Sequence, residues 1–569
     1  MEPQAPLPAS PPDVSRGSAL LLRRAAVLPL VLLTLPIEAA SAWLLASPDR
    51  VYSRTMTWDL LFNLDGAWNI YMGHAAHVDF HDPVGILSFL LTCAGFWIGK
   101  ATVADFIFGN LLALAFVYVT SVVAARRLPL FPAVVFVLFT CQLVLMPTNV
   151  GGLIDDYSFA MSYNAYGWSI LCVVAVVLFL PSSPGADRGA DRGTRVPWPD
   201  LALDLGLTLV LCLALYYLKI TYFLAALGML ATALVVCPHI RAHRAVWAAT
   251  AALLICNALA PYNWPYLADI YGAIEGGAIR SSRIEMLLLF SANTPEIALY
   301  GTMLLAAAGL WLSGAAPFRL PLLCAAIIVA SLAVLSQNAQ LRSLPLCILV
   351  ALLLYDHLAR GHQASGPIIR SPRSLPCTLL ALMIFPVADV VSSTLGIALY
   401  SEQAKSNDGL FVVDRTNLRG LAVPLDSAGA SPVPSNRSSD IAWARRMRAI
   451  GGNPPLSQYE YIQSILEAAA LFEPLPPGGI LVLDAVNPLP FALGWAPARG
   501  ASLWMDTGFF WRPAQAMFAD AQYVLIPKFS TYADLTNEAY KRYGDYLARH
   551  FPVRSESRSW TLLRRAPKG

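Results

Sequence analysis

The sequence is a succession of apolar blocks separated by short polar segments, and this pattern constrains the fold more than any other feature. Each block approaches the roughly 20 residues that an α-helix needs to cross a bilayer, and each is bounded by charged residues, Pro or Gly. The pattern predicts a polytopic α-helical membrane protein with about 11–12 membrane segments. The blocks lie near 25–45, 84–99, 101–125, 128–146, 165–181, 201–218, 220–237, 246–261, 297–313, 320–335, 343–358 and 375–398.

Composition supports a membrane location and excludes one class of partner. Hydrophobic residues make up 57% of the chain and charged residues 13%, whereas soluble proteins carry about 25% charged residues. The net charge is only +3, and no basic run is interleaved with aromatic residues. We therefore predict a lipid bilayer as the main partner and no binding of nucleic acid.

Arginines fall at alternate connections between the blocks, which predicts the side of the membrane on which each connection lies. Because cytoplasmic connections carry the excess of Lys and Arg, residues 1–24 are predicted as a cytoplasmic tail and 25–398 as the transmembrane domain. The first block also resembles a signal peptide, with Ala40-Ser41-Ala42 as a cleavage site, and both interpretations export residue 46. Block 84–99 is expected to be re-entrant or interfacial. The predicted outward segments are 46–83, 147–164, the turn at Lys219, 262–296, 336–342 and everything after 398.

The chain after residue 398 has the composition of a water-soluble domain. Residues 399–436 are predicted as an irregular connection and 437–569 as a small α/β domain on the outer, periplasmic side. Strands are predicted at 480–483 and 523–526, with a final hairpin through 560–564. Helices are predicted at 438–450, 457–473 and 531–550, with Ser457 and Thr531 as N-caps.

Polar residues collect in the outward segments, and a multi-span protein places such residues where it handles something polar. The first segment contains Trp58-Asp59-Leu60-Leu61-Phe62-Asn63-Leu64-Asp65-Gly66 and His77-Val78-Asp79-Phe80-His81-Asp82-Pro83-Val84-Gly85. The others contain Asp155-Asp156, Tyr163-Asn164-Ala165-Tyr166-Gly167-Trp168, Asp269, Arg280, Arg283 and Gln337-Asn338-Ala339-Gln340-Leu341-Arg342.

These segments resemble the GT-C superfamily of membrane glycosyltransferases. The resemblance rests on an acidic residue in the first outward loop and on Tyr163-Asn164-x-Tyr166-Gly167-Trp168. It extends to Gln337-Asn338-x-Gln340, Asp484-x-x-Asn487-Pro488 and Ile526-Pro527-Lys528. It implies a GT-C-like enzyme of the bacterial inner membrane, with a periplasm-facing site. The donor would be a polyprenyl-phosphate-linked sugar, the acceptor a glycan, lipid or protein, and the base Asp65. Gly66 and Ala165 stand where the family often has Glu and Arg.

Such a transfer needs a base for the proton of the acceptor and cations for the phosphate. Asp65 is the first candidate for the base, and Asp155 and Asp156 are the next. No cofactor is required by this chemistry, and the need for a divalent cation is left open. The predicted substrate-binding residues are Asn63, His81, Tyr163, Asn164, Trp168, Lys219, Arg280, Arg283, Asn338, Gln340 and Arg342.

Each assignment has a structural alternative. Asp65 could brace a turn at Gly66, Asp155 and Asp156 could form a solvated pair, and Gln340 and Arg342 could snorkel at a span end. Tyr163 and Trp168 could belong to an interfacial aromatic belt. His74, His77 and His81 share a face, and could bind a metal, only if 74–81 is helical. For the whole chain, the alternatives are a transporter or flippase for a lipid-linked or polar solute, and a glycan polymerase or ligase.

Overall fold

The computed structural model of the protein describes residues 16–182, 197–276, 283–338, 344–361, 374–425, 457–505, 511–528 and 533–566. The chain is mostly helical, and every apolar block predicted from the sequence contains a helix. The helices of the first 405 residues are α1 Arg16–Ala46, α2 Thr57–Tyr71, α3 Leu87–Ile98, α4 Asp105–Ala125, α5 Leu130–Leu145, α6 Ser162–Phe179, α7 Trp198–Leu218, α8 Ile220–Val236, α9 Pro238–Arg241, α10 Arg244–Ala258, α11 Trp264–Glu275, α12 Arg283–Ala292, α13 Thr294–Leu312, α14 Arg319–Asn338, α15 Cys347–Gly361 and α16 Ser374–Lys405.

Seven helices of the described chain are long and apolar enough to cross a membrane, and an eighth span is formed if α10 and α11 count together. The two parts of this span, Arg244–Ala258 and Pro261–Glu275, are bent by 53° relative to each other. Four further predicted blocks form shorter apolar helices, namely α3, α5, α8 and the apolar part of α15. The protein is thus a polytopic helical protein with several membrane-spanning helices.

Helix α3 has only 12 residues, so at 1.5 Å per residue it extends about 18 Å, well short of the ~30 Å hydrocarbon core. It packs against α2 and α4. The expectation that block 84–99 does not behave as a simple span agrees with this length.

The first outward segment contains a buried helix. All residues from Thr57 to Asn69 in α2 are buried, because the helix is surrounded by α3 and the C-terminal part of the chain. Asp65 and Gly66 lie in the middle of this helix, so the alternative that Asp65 braces a turn is wrong. Gly66 is needed for a close approach: a Cβ there would lie 2.4 Å from the Phe89 ring.

The last 100 residues form a four-stranded mixed sheet with helices on both faces. The strands are β5 Gly479–Val482, β7 Ala521–Pro527, β8 Val553–Glu556 and β9 Trp560–Arg564, in the order β5-β7-β9-β8. Side chains alternate along β5: Ile480 and Val482 share the main core, which includes helix α17 (Gln458–Phe472), while Leu481 and Leu483 face helix α20 (Ala533–His550).

The strands and helices predicted for this region are confirmed at 457–473, 480–483, 523–526 and the final hairpin, and the helix predicted at 531–550 is confirmed over its described residues 533–550. Ser457 caps α17 through a capping box, accepting from the Glu460 amide at 3.1 Å and donating its own amide to Glu460 at 2.8 Å. Thr531 and the predicted helix 438–450 lie outside the described residues.

Residues 399–424 are more regular than predicted. Helix α16 continues to Lys405, and strands β3 (Leu410–Val412) and β4 (Leu421–Pro424) follow. Strand β4 pairs in parallel with β1 (Val51–Tyr52). The connection therefore lies in space beside the residues that follow α1 in the chain. The prediction of an irregular connection over the whole of 399–436 is wrong for these strands: β3 pairs with β4, and β4 pairs with β1 about 370 residues away along the chain.

Two further contacts fix the C-terminal sheet region to the first outward segment. Strand β2 (Phe80–His81) pairs in parallel with β6 (Ala501–Ser502), and the Trp68 indole donates a 2.8 Å hydrogen bond to the Trp495 carbonyl. The short helices α18 (Leu489–Leu493) and α19 (Ala514–Met517) flank these contacts. The C-terminal region therefore covers the same segment that carries many of the predicted site residues.

A buried ion pair marks the opposite end of α7. Arg127 bonds Asp204, and its side chain is completely buried. Arg126 is 23% exposed and lies 3.4 Å from Asp204. Asp204 and Lys219 are 15 residues apart, which corresponds to about 22 Å along the helix axis at 1.5 Å per residue, so this pair and Lys219 lie toward opposite ends of α7. This separation agrees with the predicted alternation of arginine-rich and outward connections.

Removal of the buried partner should cost far more stability than removal of its neighbour. We expect Arg127→Ala to lower the free energy of unfolding by about 3–5 kcal/mol, because Asp204 is then buried without its main counter-charge. The half-exposed neighbour provides the control, and Arg126→Ala should cost about 1 kcal/mol or less. Denaturant titration of the purified variants measures both values, and equal small effects would show that the buried pair contributes no special stability.

Candidate functional site

The site is centred on a one-residue break between two membrane helices. Lys219 is extended, with φ −165° and ψ 126°, and separates α7 from α8. Its ammonium lies 5.0 Å from the centre of the Tyr163 ring, at the start of α6. A turn at Lys219 was predicted, and it places a half-buried cation at the C-terminal end of α7.

Gly85 brings the end of the first outward segment against this turn. Its amide donates to the Leu218 carbonyl at 3.0 Å, and a Cβ there would lie 2.1 Å from the Tyr217 carbonyl oxygen. Only glycine permits so close an approach. Asp82, three residues before Gly85, is thereby held close enough to Lys219 to interact with it electrostatically.

Asp59 lies in the first turn of α2, and its side chain is turned toward the start of α6. Its Oδ2 accepts a 2.5 Å hydrogen bond from the Met161 amide, and only 6% of the residue is exposed. Burial raises the pKa of Asp59 from 3.8 to about 7, although the Met161 amide and Lys219 favour the charged form. Asp59 is thus a carboxyl group that can exchange a proton near neutral pH.

Asp82 is the second buried carboxyl group next to Lys219. Its Oδ1 accepts a 2.6 Å hydrogen bond from the Val84 amide. Burial raises the pKa of Asp82 well above its ordinary value, the charges of Asp269 and Asp59 raise it further, and the Val84 amide and Lys219 oppose the shift. Asp59 and Asp82 are thus two buried carboxyl groups with raised pKa values beside one cation. We call Asp59, Asp82, Lys219 and Tyr163 the carboxylate–lysine cluster.

Tyr163 belongs to this cluster, whereas Asn164 and Trp168 are buried in the protein core and do not belong to it. Trp168 is completely buried and packs edge-on against Tyr222, with ring centres 5.5 Å apart. Tyr222 donates to the Asn164 carbonyl at 3.2 Å. A completely buried indole offers no surface to lipid or substrate, so Trp168 is a core residue, and both the substrate-stacking and the aromatic-belt predictions are wrong for it. Asn164 is likewise completely buried, although its Nδ2 has no partner among the described residues.

A carboxylate on α11 holds two histidines of the first outward segment. Asp269 accepts hydrogen bonds from His77 Nδ1 at 2.9 Å and from His81 Nδ1 at 2.8 Å. The amide of Asp82 donates to the same carboxylate at 3.2 Å. We call His77, His81 and Asp269 the histidine clamp, and it connects α11 to the cluster through Asp82.

The metal hypothesis for the histidines is not supported by this arrangement. Residues 74–81 are not helical, since β2 covers Phe80–His81 and an isolated bridge joins Ala76 to Phe80. His74 bonds Asn69 at 3.0 Å instead of joining the clamp. Within the described ranges, no group of three or more His, Cys, Asp or Glu is arranged to hold a metal ion.

Asp65 and Asn63 lie on the same helix as Asp59, and on different faces. In α2, Asn63 is one turn beyond Asp59, while Asp65 is rotated by about 120° from Asp59. Asn63 accepts a 2.6 Å hydrogen bond from the Thr92 hydroxyl. Asp65 is 2% exposed, its Oδ1 has no hydrogen-bond partner in the described chain, and burial alone raises its pKa well above the ordinary value.

The second pair of candidate bases lies at the surface. Asp155 is exposed and pairs with Arg54 at 2.7 Å, and Asp156 accepts from the Leu153 amide at 3.4 Å. These contacts match the alternative of a solvated loop pair. Neither residue is brought into the carboxylate–lysine cluster.

Five predicted residues cannot be placed by their side chains. Arg280, Gln340 and Arg342 lie outside the described residues. Arg283 and Asn338 lie in the first turn of α12 and the last turn of α14, respectively, and their side chains are outside the described part. Their assignment as substrate-binding residues stays a prediction.

Three residues of the site were not among the residues predicted from the sequence: Asp59, Asp82 and Asp269. Asp59 would have been indicated by a helical interpretation of 57–71, because it then shares a face with Asn63. Asp82 precedes the Pro83-x-Gly85 sequence that reaches the Lys219 turn. Asp269 gives no local signal, since its partners are about 190 residues away along the chain.

The cluster combines two buried carboxyl groups with raised pKa values and a cation at the C-terminal end of α7. This set can remove a proton from a hydroxyl group and hold an anionic leaving group. No protein-family model matches the sequence, and no curated protein matches it either. The site geometry therefore carries the functional argument.

Proposed function

We propose that the protein is a membrane glycosyltransferase that moves a sugar from a polyprenyl-phosphate donor to a hydroxyl group of a cell-envelope acceptor. The observation that carries the proposal is the carboxylate–lysine cluster, in which two buried carboxyl groups flank one cation at the end of a membrane helix. A lipid phosphate at the interface reaches such a site while its prenyl chain stays in the hydrocarbon. The GT-C-like pattern of the sequence supports the same assignment.

Asp59 is the proposed base in this geometry. It would accept the proton of the acceptor hydroxyl while the acceptor oxygen forms a bond to C1 of the sugar. The bond between C1 and the phosphate oxygen breaks, and polyprenyl phosphate leaves with its electron pair. Lys219 would stabilise the charge on the leaving phosphate. Asp65 stays a second candidate for the base, because its carboxyl group is buried and its Oδ1 has no partner among the described residues.

The position of the site favours a periplasmic reaction at the bacterial inner membrane. Lys219 lies at one end of α7, and Arg126 and Arg127 contact Asp204 toward its other end. Arginine-rich connections are typical of the cytoplasmic side. The C-terminal sheet region contacts the outward segment through β2 and β6, so it would lie in the periplasm as well. The C-terminal α/β domain would then cover the periplasmic side of the site.

The transporter alternative predicts a different location for the polar groups. Transporters bind substrates near the bilayer midplane at broken helices, and the bend between α10 and α11 is one such feature. The cluster, however, lies at the end of α7 and not at its middle. The transferase proposal accounts for a proton acceptor beside a cation, which transport of a lipid-linked solute does not require.

A transfer assay separates the two proposals. Purified protein in vesicles would be supplied with the lipid-linked sugars and acceptors of an envelope extract, and mass spectrometry would follow the lipid pool. We expect sugar-bearing polyprenyl phosphate to be converted to free polyprenyl phosphate, with loss in the Asp59→Asn protein. Movement of an unchanged lipid between leaflets, without conversion, would overturn the proposal in favour of a flippase.

A further inference from the structure

The histidine clamp contains two residues that make the same bond and differ in their second nitrogen. His77 and His81 both donate from Nδ1 to Asp269, at 2.9 and 2.8 Å. The His77 ring packs against Tyr266, with ring centres 4.6 Å apart. In the part of the chain that the structure describes, His81 Nε2 is buried and has no hydrogen-bond partner.

A buried ring nitrogen without a partner has a free energy cost unless a ligand satisfies it. His81 directly precedes Asp82, and its backbone is fixed by the pairing of β2 with β6. Gly85 holds the same segment against the Lys219 turn. The unpartnered nitrogen therefore belongs to the segment that forms one wall of the carboxylate–lysine cluster.

We propose that Asp269 is a positioning residue that holds His81 so that its Nε2 donates a hydrogen bond to the phosphate of the lipid donor. This inference rests on the proposed function and names a group that binds the donor phosphate together with Lys219. Both ring nitrogens then donate, so the bound ring is an imidazolium. The carboxylate of Asp269 supplies its counter-charge, as an acidic partner commonly does for a functional histidine.

The charged groups around the next residue, Asp82, are consistent with this role. Asp82 interacts electrostatically with Asp269 of α11, Lys219 of the α7–α8 turn and Asp59 of α2. Arg512 of the C-terminal region also lies close enough to Asp269 to interact with it electrostatically. Two cations around one phosphate would stabilise the donor diester, which carries one negative charge, and the polyprenyl phosphate that leaves, whose charge is nearly −2 at neutral pH.

The test compares matched variants in binding of undecaprenyl phosphate, measured with the full-length protein in detergent. Asn places an amide where His carries Nδ1, so His81→Asn keeps the bond to Asp269 and lacks Nε2. We expect a roughly 10- to 100-fold loss of affinity, with an unchanged melting temperature. The matched control His77→Asn should bind close to wild type.

The positioning role of Asp269 is tested by a double-mutant cycle. Asp269→Asn should weaken binding in the His81 protein and have little further effect in the His81→Asn protein, because the two residues act through one contact. Asp269→Glu should restore part of the affinity. Additive losses, or equal affinities for His81→Asn and His77→Asn, would overturn the inference while leaving the proposed function standing if Lys219→Met still loses affinity. Failure of the wild-type protein to bind undecaprenyl phosphate would overturn both.

Discussion

Replacement of Asp59 by Asn should reduce sugar transfer by about 10²- to 10⁴-fold, the usual contribution of a general base. Asn keeps the size of the side chain and can still accept the hydrogen bond from the Met161 amide. It cannot take a proton from the acceptor. Expression, thermal stability and binding of undecaprenyl phosphate should therefore stay near the wild-type values.

Asp65→Asn is the matched control, because Asp65 lies on the same buried helix and loses the same charge. If Asp59 is the base, Asp65→Asn should retain most of the activity. The contrary result, with collapse in the Asp65 variant and normal transfer in the Asp59 variant, would move the base to Asp65. Asp82→Asn adds a third comparison: burial raises the pKa of Asp82 and favours its protonated form, so its amide variant should retain more activity than the Asp59 variant.

Replacement of Lys219 by Met should have the second-largest effect, in two separable ways. Loss of a charge-assisted hydrogen bond to phosphate should weaken donor binding by roughly 10- to 100-fold. Lys219 also favours the charged form of Asp59, so its removal should raise the pKa of that carboxyl group further. The Lys219→Arg protein keeps the charge. It should lose much less donor affinity, and the pKa of Asp59 should change much less.

The pH profile reports the second effect. A base with a pKa of about 7 is protonated and inactive at low pH, so kcat/KM should rise as the pH increases through about 7. In the Lys219→Met protein this rise should move to higher pH, because a larger fraction of Asp59 holds its proton at any given pH. An unshifted profile in that variant would contradict the electrostatic coupling between Lys219 and Asp59.

The same carboxyl group, Asp59, should make the stability of the fold change with pH in the direction opposite to that of the activity. The folded-state pKa of Asp59 is raised above 3.8, so the folded protein holds this proton more tightly than the unfolded chain does. Stability from this group is therefore greatest at low pH and is lost as the pH rises through about 7. The positive charge of Lys219 beside this carboxyl group reduces the loss of stability without removing it.

The helices of the membrane region were predictable because each is encoded locally. Apolar blocks bounded by Pro, Gly and charge became helices at all twelve positions, and the strands at 480–483 and 523–526 followed from short β-branched runs. Helix α2 was missed for a physical reason. It is buried by α3 and by the C-terminal part of the chain, so its polar residues do not fall on one solvent face and its apolar pattern is weak.

The site was only partly predictable for a related reason. Lys219 and Tyr163 stand out locally, as a lone cation between apolar blocks and as the start of an aromatic run. Asp59, Asp82 and Asp269 gain their significance from contacts between segments that are far apart in sequence. Burial decides their protonation, and nothing in the residues adjacent to Asp59 indicates that its pKa is near 7.

The most direct test of the account is a cryo-electron microscopy map of the protein with undecaprenyl phosphate bound. The account predicts phosphate density within hydrogen-bonding distance of Lys219 Nζ, between the first turn of α2 and residues 81–82, with the prenyl chain extending along the membrane helices. Density for the phosphate at the middle of the spanning helices, or at a position remote from Lys219, would contradict it.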